Sequence, residues 1–331
     1  VRFTIRLNVG SATNVKIGSD TTPYQARFRV RDTNDDARVT VSIDTTAVDT
    51  SPTGGLGVEP GDSLEDVTVT RRPSGPLPAE TYLVQTVEEP RFTDQMVVDV
   101  RQPSMGKPSA GRAPAATRRA LDAIDAAARR GTVARGDWAL VRFNASGLEG
   151  SLNPDALDGS PSSNGITVWL NESGSGTVRA RHPGDVGAVH VVPRLDEDHL
   201  WLAWDTSGME DLGDAERSVR VTLQVDAQEL RAWGESASRS VGFTVAEPEL
   251  FLIDGEPWEV RPEPNRTLRA RTNLAPGTEV TIDVVRVEDE FTLDSRTLVV
   301  PQSGKLTPSF DLSQVRDRTE LRIGAASFPD D

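Results

Sequence analysis

The stretch from Tyr24 to Ile43 reads YQARFRVRDTNDDARVTVSI, and its pattern decides the fold class. In the first half, apolar side chains occupy every second position from Tyr24 to Val30, with Gln or Arg between them. The same alternation runs from Val39 to Ile43, after the polar segment RDTNDDA. A period of two residues is typical of a strand with one buried face, and a polar turn between two such strands predicts a β-hairpin.

Similar alternating runs recur along the whole chain and predict an all-β protein. Short runs separated by turns predict a first antiparallel sandwich at residues 1–102, a second at 135–248 and a smaller third at 249–331. The run that starts at Val1 has no turn before it, so we expect the chain to be a segment of a longer protein.

Residues 103–134 are predicted to form a linker with one connecting helix at about 114–130. The segment opens with PSMGKPSAGRA, which has the composition of a linker. Pro114 suits the first helical position, and Gly131 suits the position just after a helix end. The helix has a narrow apolar stripe and a possible Asp125–Arg129 pair, and its stripe comprises Leu121, Ile124 and Ala128. We expect it to lie against one sandwich, and a partner-binding helix is the alternative.

The charge balance excludes some partners. The chain of 331 residues carries a net charge of −15, which argues against nucleic acid and against anionic membrane surfaces. Acids number 51, whereas only three of the 36 basic residues are lysine. A surface rich in carboxylates and poor in Lys is typical of a protein adapted to high salt, where repulsion is screened within about 3 Å at 1 M. Replacement of Lys by Arg in a GC-rich genome is the alternative.

Few residues suit catalysis, and we expect a protein that is not an enzyme. Cysteine is absent, and the three histidines, His182, His190 and His199, have no zinc-site spacing. No nucleophile elbow, phosphate-binding loop or dinucleotide fingerprint occurs. No apolar run approaches the roughly 18 residues of a spanning helix, so direct membrane insertion of this segment is not expected.

One acidic turn is a candidate cation site. Asp32, Asn34 and Asp36 place oxygen atoms at alternate positions, as loops that bind Ca²⁺ or Mg²⁺ do. Ala37 stands where the calcium-loop pattern has Gly, and Ile43 where it has an acid. A polar turn without metal is the alternative.

Three sequons are candidate N-glycosylation sites, at Asn144, Asn171 and Asn265. The first two follow apolar strand runs and the third lies in a Pro-flanked loop, so we expect all three at exposed ends.

Two other motifs have a functional and a structural interpretation. Trp201 and Trp204 are expected on opposite faces of one strand, where an exposed Trp would stack a sugar ring and a buried one would pack between sheets. The tripeptide Arg135-Gly136-Asp137 is interpreted as a turn that leads into the strand at Trp138.

Two blocks of sequence resemble a known family. They are RGDWALVRFNASGLEG at 135–150 and NRTLRARTNLAPGTEVTIDV at 265–284. Together they resemble haloarchaeal secreted surface proteins of the surface-layer glycoprotein type. The resemblance implies tandem immunoglobulin-like β-sandwich domains, N-linked glycans and a C-terminal anchor beyond this segment. LPAETY, ending at Tyr82, is similar to the family's LPAGTY, with Glu80 in place of Gly.

The sequence therefore leads us to expect a structural segment of an extracellular, surface-layer-type glycoprotein of a halophilic archaeon. Its expected partners are further copies or neighbouring cell-surface proteins, with Ca²⁺ or Mg²⁺ bridging the acids. The alternatives are a lectin-like or adhesive binding module, and the non-catalytic arm of a secreted hydrolase.

The acid excess makes a prediction about folding. We expect secondary structure to be lost when the protein is dialysed from molar KCl or NaCl to low salt, because unscreened carboxylates then repel one another. Circular dichroism measures this directly. An unchanged spectrum at low salt would contradict the halophilic interpretation.

Overall fold

The structure is a computed structural model of the chain. It describes residues 1–8, 10–88, 91–129, 131–148, 152, 165–174, 177–181, 188–194, 197–209, 216–230, 233, 235–253, 262–316 and 319–327.

The regular secondary structure of the described residues is almost entirely β, as the alternating patterns predict. The strands are β1 Arg2–Arg6, β2 Ala12–Ile17, β3 Gln25–Asp32, β4 Arg38–Ile43, β5 Leu56–Val58, β6 Asp62–Arg71, β7 Thr81–Glu88, β8 Arg91–Asp99, β9 Ser104–Met105, β10 Ser109–Ala113, β11 Ala128–Arg129, β12 Val133–Ala134, β13 Trp138–Ser146, β14 Ile166–Gly174, β15 Thr177–Arg181, β16 Val189–Arg194, β17 His199–Asp205, β18 Arg217–Val225, β19 Ala237–Ala246, β20 Leu250–Leu252, β21 Arg266–Thr267, β22 Ala270–Thr272, β23 Glu279–Arg286, β24 Phe291–Val299, β25 Lys305–Leu306, β26 Ser309–Phe310 and β27 Leu321–Ser327. One α-helix, α1, spans Ala120–Asp125. The fold class is all-β, with immunoglobulin-like sandwiches in tandem.

The chain divides into two compact units. The first comprises Val1–Ser104 together with Asp226–Ser236, and the second comprises Met105–Val225 together with Ala237–Asp331.

The first sandwich packs two antiparallel sheets around an apolar core. One sheet has the order β1-β4-β5 and the other the order β6-β3-β2-β7-β8. Tyr24 and Tyr82 meet edge to face in the core, with ring centroids 6.5 Å apart. Burial in this apolar environment raises the pKa of each phenol to about 12.

The hairpin predicted at Tyr24–Ile43 is wrong, although both of its strands are present. β3 pairs with β2 and β6, whereas β4 pairs with β1 and β5 in the opposite sheet. The polar turn therefore crosses from one sheet to the other. Each strand has one buried face because each faces the same core from opposite sides, so alternation alone cannot distinguish a hairpin from a crossover.

The second sandwich contains part of the segment predicted as a linker. One sheet has the order β11-β10-β13-β17-β16, with β9 also paired to β13, and the facing sheet has the order β12-β19-β18-β14-β15. β10 pairs along its whole length with β13. The linker prediction for these residues is wrong because Ser109–Ala113, despite its small and polar residues, completes a sheet.

The predicted helix at 114–130 is present only as the six residues of α1. The chain extends again at Ala128, which pairs with Arg112 in the β10–β11 ladder. Asp125 pairs with Arg194 at 2.6 Å. The predicted Asp125–Arg129 pair depends on a side chain that lies outside the described part of the chain. Leu121 is exposed, so the apolar stripe is wrong at that position, whereas Ala123 and Ile124 pack on the outer face of the sheet.

The third sandwich is built from short ladders with the orders β20-β22-β25, β21-β26 and β24-β23-β27. Its core comprises Leu268, Ala270, Leu274, Val280, Ile282, Val284, Val300, Leu306, Phe310 and Leu312, and Ala134 of β12 packs into it.

Candidate functional site

The most elaborate polar arrangement among the described residues joins the second and third sandwiches. It brings together the turn Arg135–Asp137, which precedes β13, and the turn that follows β22 at Asn273. These turns lie in the sequence blocks 135–150 and 265–284. Ala134, just before the first turn, contributes its side chain to the core of the third sandwich. We call this region the junction.

Asp137 is at the centre of the junction and is 1% exposed. Its Oδ1 accepts a hydrogen bond from the backbone N–H of Ala115 at 3.1 Å. Its Oδ2 accepts one from the backbone N–H of Ala275 in the third sandwich at 2.7 Å. A buried carboxylate is tolerated when its oxygens accept such bonds, so Asp137 fixes both segments relative to β13.

The local backbone explains why Asp137 points into the junction. Gly136 has a φ of +97°, a conformation that favours glycine, and this turns the chain abruptly before β13. The backbone N–H of Gly136 donates to the hydroxyl of Thr206 at 3.0 Å. That hydroxyl in turn donates to the carbonyl of Asp137 at 2.6 Å. Thr206 is fully buried, so these two hydrogen bonds fix the turn to the interior of the protein.

Arg112 adds a second link between the two sandwiches and is 8% exposed. Its guanidinium donates to the carbonyl of Thr132 at 2.6 Å and to the carbonyl of Asn273 in the third sandwich. Burial lowers the pKa of Arg112, and the nearby Asp137 carboxylate opposes that shift. The two buried charges therefore support each other across the junction.

The edge of the junction is closed by an ion pair and an amide. The guanidinium Nε of Arg135 lies 2.9 and 2.8 Å from the two carboxylate oxygens of Glu247. The amide of Asn273 donates to the carbonyl of Glu247 at 2.6 Å and accepts from the N–H of Glu249 at 2.8 Å. The segment that connects the two sandwiches is thus tied to both.

This arrangement explains the Arg-Gly-Asp tripeptide. Arg135 is paired, Gly136 is buried and Asp137 is buried, and β13 begins directly afterwards at Trp138. The interpretation as a turn that leads into this strand is confirmed. The sequence analysis did not identify the roles of Asp137, Arg112, Thr206 and Asn273. The one local signal that could have indicated a buried carboxylate is an Asp next to the apolar run WALV.

The candidate cation residues lie in the crossover between the sheets of the first sandwich. Asp32 is 1% exposed, and its Oδ2 accepts hydrogen bonds from the N–H groups of Gly10 and Ala37 at 3.2 and 3.0 Å. The Oδ1 of Asp36 accepts from the N–H of Arg38 at 2.8 Å. The side chain of Asn34 accepts from the N–H of Asp36 at 3.1 Å, so all three side chains bind their own turn.

Neighbouring acids make this crossover electrostatically unfavourable. Asp62 lies opposite Asp32 in the β3–β6 ladder. Burial raises the pKa of Asp62, and the carboxylates of Asp36 and Asp32 raise it further. Among the described residues, however, no group of three or more His, Cys, Asp or Glu is arranged to hold a metal ion. The cation site at Asp32, Asn34 and Asp36 therefore stays a prediction.

The histidines do not form a cluster among the residues that the structure describes. His190 is exposed on β16 beside Trp138, and His199 lies 3.5 Å from Glu197. His182 lies outside the described residues.

Within the described ranges, no helix has the length and apolarity needed to cross a membrane.

The three sequons occupy different environments. Asn144 and Asn171 lie within β13 and β14 and are half-buried, so the prediction that they follow strand ends is wrong. Their glycosylation stays a prediction. The amide nitrogen of Asn144 donates to the carbonyl of Lys107 at 3.1 Å. Asn265 is exposed in a turn with a φ of +57°, a conformation that Asn tolerates.

The two tryptophans of β17 are both involved in packing. Trp204 is 2% exposed and meets Phe243 of the facing sheet edge to face, at 6.3 Å between ring centroids. Inter-sheet packing is therefore confirmed for Trp204. Trp201 is half-buried, and the guanidinium of Arg142 lies over its ring at 5.8 Å.

The fold and the junction define a class of protein, in which all-β, immunoglobulin-like sandwiches are joined in tandem. No protein-family model and no curated protein matches the sequence.

Alignments with solved structures are weak. The alignment with dimeric latent PorU from Porphyromonas gingivalis covers 92% of this chain and 26% of the PorU chain, at 10% identity and a TM-score of 0.24. Salmonella alpha-2-macroglobulin reacted with methylamine aligns with 97% of this chain and 22% of its own, at 11% identity and a TM-score of 0.22. A marsupial T cell receptor aligns with 91% of this chain and 100% of its own, at 9% identity and a TM-score of 0.19. Scores of this size carry no argument about function.

The junction predicts a large effect of Asp137→Ala. The substitution leaves two backbone N–H groups without acceptors and Arg112 without its opposing charge, so we expect the free energy of unfolding to fall by about 3–5 kcal/mol. Denaturant unfolding at constant molar salt measures this. Asp205→Ala is the matched control, because Asp205 accepts one hydrogen bond in an exposed turn and should cost under about 1 kcal/mol.

Hydrogen exchange locates the effect of this substitution. In Asp137→Ala, the amide of Ala275 should lose protection because its acceptor is gone. Equal stability losses in the two variants, with protection retained at Ala275, would show that Asp137 does not hold the sandwiches together.

The sequon geometry predicts that Asn265 carries the glycan. A modified amide nitrogen must be accessible, and that of Asn144 is hydrogen-bonded while Asn171 lies between two neighbouring strands. Mass spectrometry of protein from its native source should show a hexose-containing adduct at Asn265. The modification should disappear in Asn265→Gln, and an adduct only on the other two sequons would contradict the prediction.

Proposed function

We propose that this chain is a non-enzymatic, structural segment of an extracellular cell-surface glycoprotein of the haloarchaeal surface-layer type. Its function is mechanical, because sandwiches held in fixed relation keep a fixed spacing in the cell envelope. Its partners are further copies of the chain or neighbouring surface proteins, with N-linked glycans on the exposed surface.

The observation that carries this proposal is the buried polar junction. A flexible tether would need only an exposed linker of Gly, Ser or Pro. Here Asp137, Arg112 and Asn273 connect the second and third sandwiches through hydrogen bonds whose polar groups are buried or half-buried. Separation would leave these groups unpaired or exposed to water, so the two sandwiches resist bending as a unit.

The charge pattern also supports a surface location in a saline medium. Copies that carry −15 each repel one another at moderate salt, but molar salt screens that repulsion within about 3 Å. Divalent cations can bridge carboxylates of neighbouring copies, which monovalent salt cannot do. Close packing of acidic copies in an envelope is therefore compatible with their charge.

A lectin-like or adhesive module is the alternative, but the two tryptophans of β17 do not favour it. It would need an accessible aromatic platform, whereas Trp204 is buried and Arg142 lies over Trp201.

The proposal predicts self-association. Sedimentation velocity of the full chain in molar NaCl should show assemblies larger than a monomer. Assembly should be greater with Ca²⁺ or Mg²⁺ than with a chelator at matched ionic strength, because bridged carboxylates attract. Asp36→Asn should weaken cation-dependent assembly if this exposed turn bridges copies, whereas Asp122→Asn, which changes an exposed acid in α1, serves as the control. A monomer under both conditions would contradict the structural proposal and favour a stand-alone binding module.

A further inference from the structure

A row of cations lies on the outer face of the first sandwich. Along β3, Arg27, Arg29 and Arg31 point outward, while Phe28 and Val30 between them are buried in the core. Alternate residues of a strand lie about 6.8 Å apart, so the three guanidinium groups form a line on one face of the sheet.

The next strand extends this row. Lys16, one of only three lysines in the chain, lies opposite Arg27 in the β2–β3 ladder and therefore shares its face. The local field affects a nearby acid: the hydrogen bond from Gln25 is the largest cause of the lowered pKa of Asp20, and Lys16 is the second. We call Lys16, Arg27, Arg29 and Arg31 the cationic stripe.

The stripe is only partly neutralised within the described chain. Arg31 lies 3.4 Å from Glu65, but both side chains are about 40% exposed, and such pairs contribute little. Among the described residues, Lys16, Arg27 and Arg29 form no ion pair within 4 Å. Asp20 interacts electrostatically with Lys16 and Arg27, and Glu65 lies opposite Arg29 in the β3–β6 ladder. Because neither acid forms a close ion pair with these three cations, they can still bind an anionic partner.

The rest of the chain has the opposite charge. Residues 1–104 hold ten Arg and one Lys against fifteen Asp and Glu, a net charge of −4. The remaining −11 of the total of −15 belongs to residues 105–331, which form most of the second unit. Charge complementarity therefore matches the stripe of one molecule with the acidic second unit of another.

We propose that the cationic stripe binds the acidic second unit of a second copy of this chain. The inference rests on the proposed self-association and names its contact. Guanidinium groups suit this role, because they bind carboxylates in a bidentate geometry that holds at contact distance in high salt. Leu83 and exposed Val97 pair across β7 and β8 on the same face and add apolar area beside the stripe.

The contact is heterologous when the stripe of one copy binds the second unit of the next copy without the reciprocal contact in the same pair. An open assembly of this kind keeps one free stripe and one free acidic surface at its two ends. The assembly then grows with concentration, which is the behaviour required of an envelope building block.

Paired substitutions test the stripe. The test variant is Arg27→Gln/Arg29→Gln, and the matched control is Arg2→Gln/Arg6→Gln, which removes two exposed arginines from β1 on the opposite sheet. Circular dichroism first verifies that each variant is folded. A second test variant, Lys16→Gln/Arg27→Gln, keeps the experiment decisive if the first is unstable.

Sedimentation velocity in molar NaCl with Ca²⁺ is the readout. For the wild type and the control, the weight-average mass should rise continuously with concentration. For either test variant, the association constant should fall about tenfold or more, because contact ion pairs are lost at the interface. Unlabelled Arg27→Gln/Arg29→Gln mixed into labelled wild type should shorten the assemblies. The variant retains the acidic surface and can bind to the end of an assembly, but it lacks the stripe that would bind the next copy.

Other outcomes would overturn the inference in distinguishable ways. If the test variants assemble like the control, the stripe is not the contact, although the structural proposal stands. A mass that reaches a dimer plateau, unaffected by mixing, would exclude a head-to-tail contact. A wild type that stays monomeric would overturn both proposals, and its binding to phosphatidylglycerol vesicles would then assign the stripe to an anionic lipid surface.

Discussion

The buried carboxylate of Asp137 is the interaction on which the second unit depends. Its two oxygens accept hydrogen bonds from Ala115 and Ala275, which are 160 positions apart in the chain. A carboxylate buried without such partners would destabilise the fold by several kcal/mol, so the native arrangement must bring both segments to it. Strand β13, the central strand of its sheet, begins at the next residue. Asp137 therefore fixes the start of β13 as well as the position of the third sandwich.

The elements of the fold could be predicted from the sequence better than their pairing. Alternation between Tyr24 and Ile43 correctly indicates two strands, each with one buried face. Their assignment to different sheets depends on Asp32, whose side chain turns inward and binds Gly10 and Ala37, and on a left-handed backbone at Ala37. The bond from Gly10 joins residues 22 positions apart, and a local pattern has no information about such a contact.

Helix propensity misleads in the segment after Pro114 for a related reason. The Ala-rich run favours a helix as an isolated peptide, but Ala128 instead pairs with Arg112 at the edge of a sheet. The same arginine extends to Asn273, 161 positions away, so a residue inside the predicted linker belongs to the candidate site. Both turns of the junction could be identified as turns from Gly, Pro and Asn, whereas their contact could not, because nothing local specifies which turns meet.

The junction and the surface use charge in opposite ways, and high salt separates their effects. Surface acids interact through water, where molar salt confines their repulsion to about 3 Å. Asp137 and Arg112 lie out of solvent, where mobile ions do not screen their hydrogen bonds. A medium that allows acidic copies to approach therefore leaves the coupling within each copy intact. Under such conditions, contact pairs made by arginine are the electrostatic interactions that still discriminate between surfaces, which is the physical basis for the proposed role of the cationic stripe in assembly.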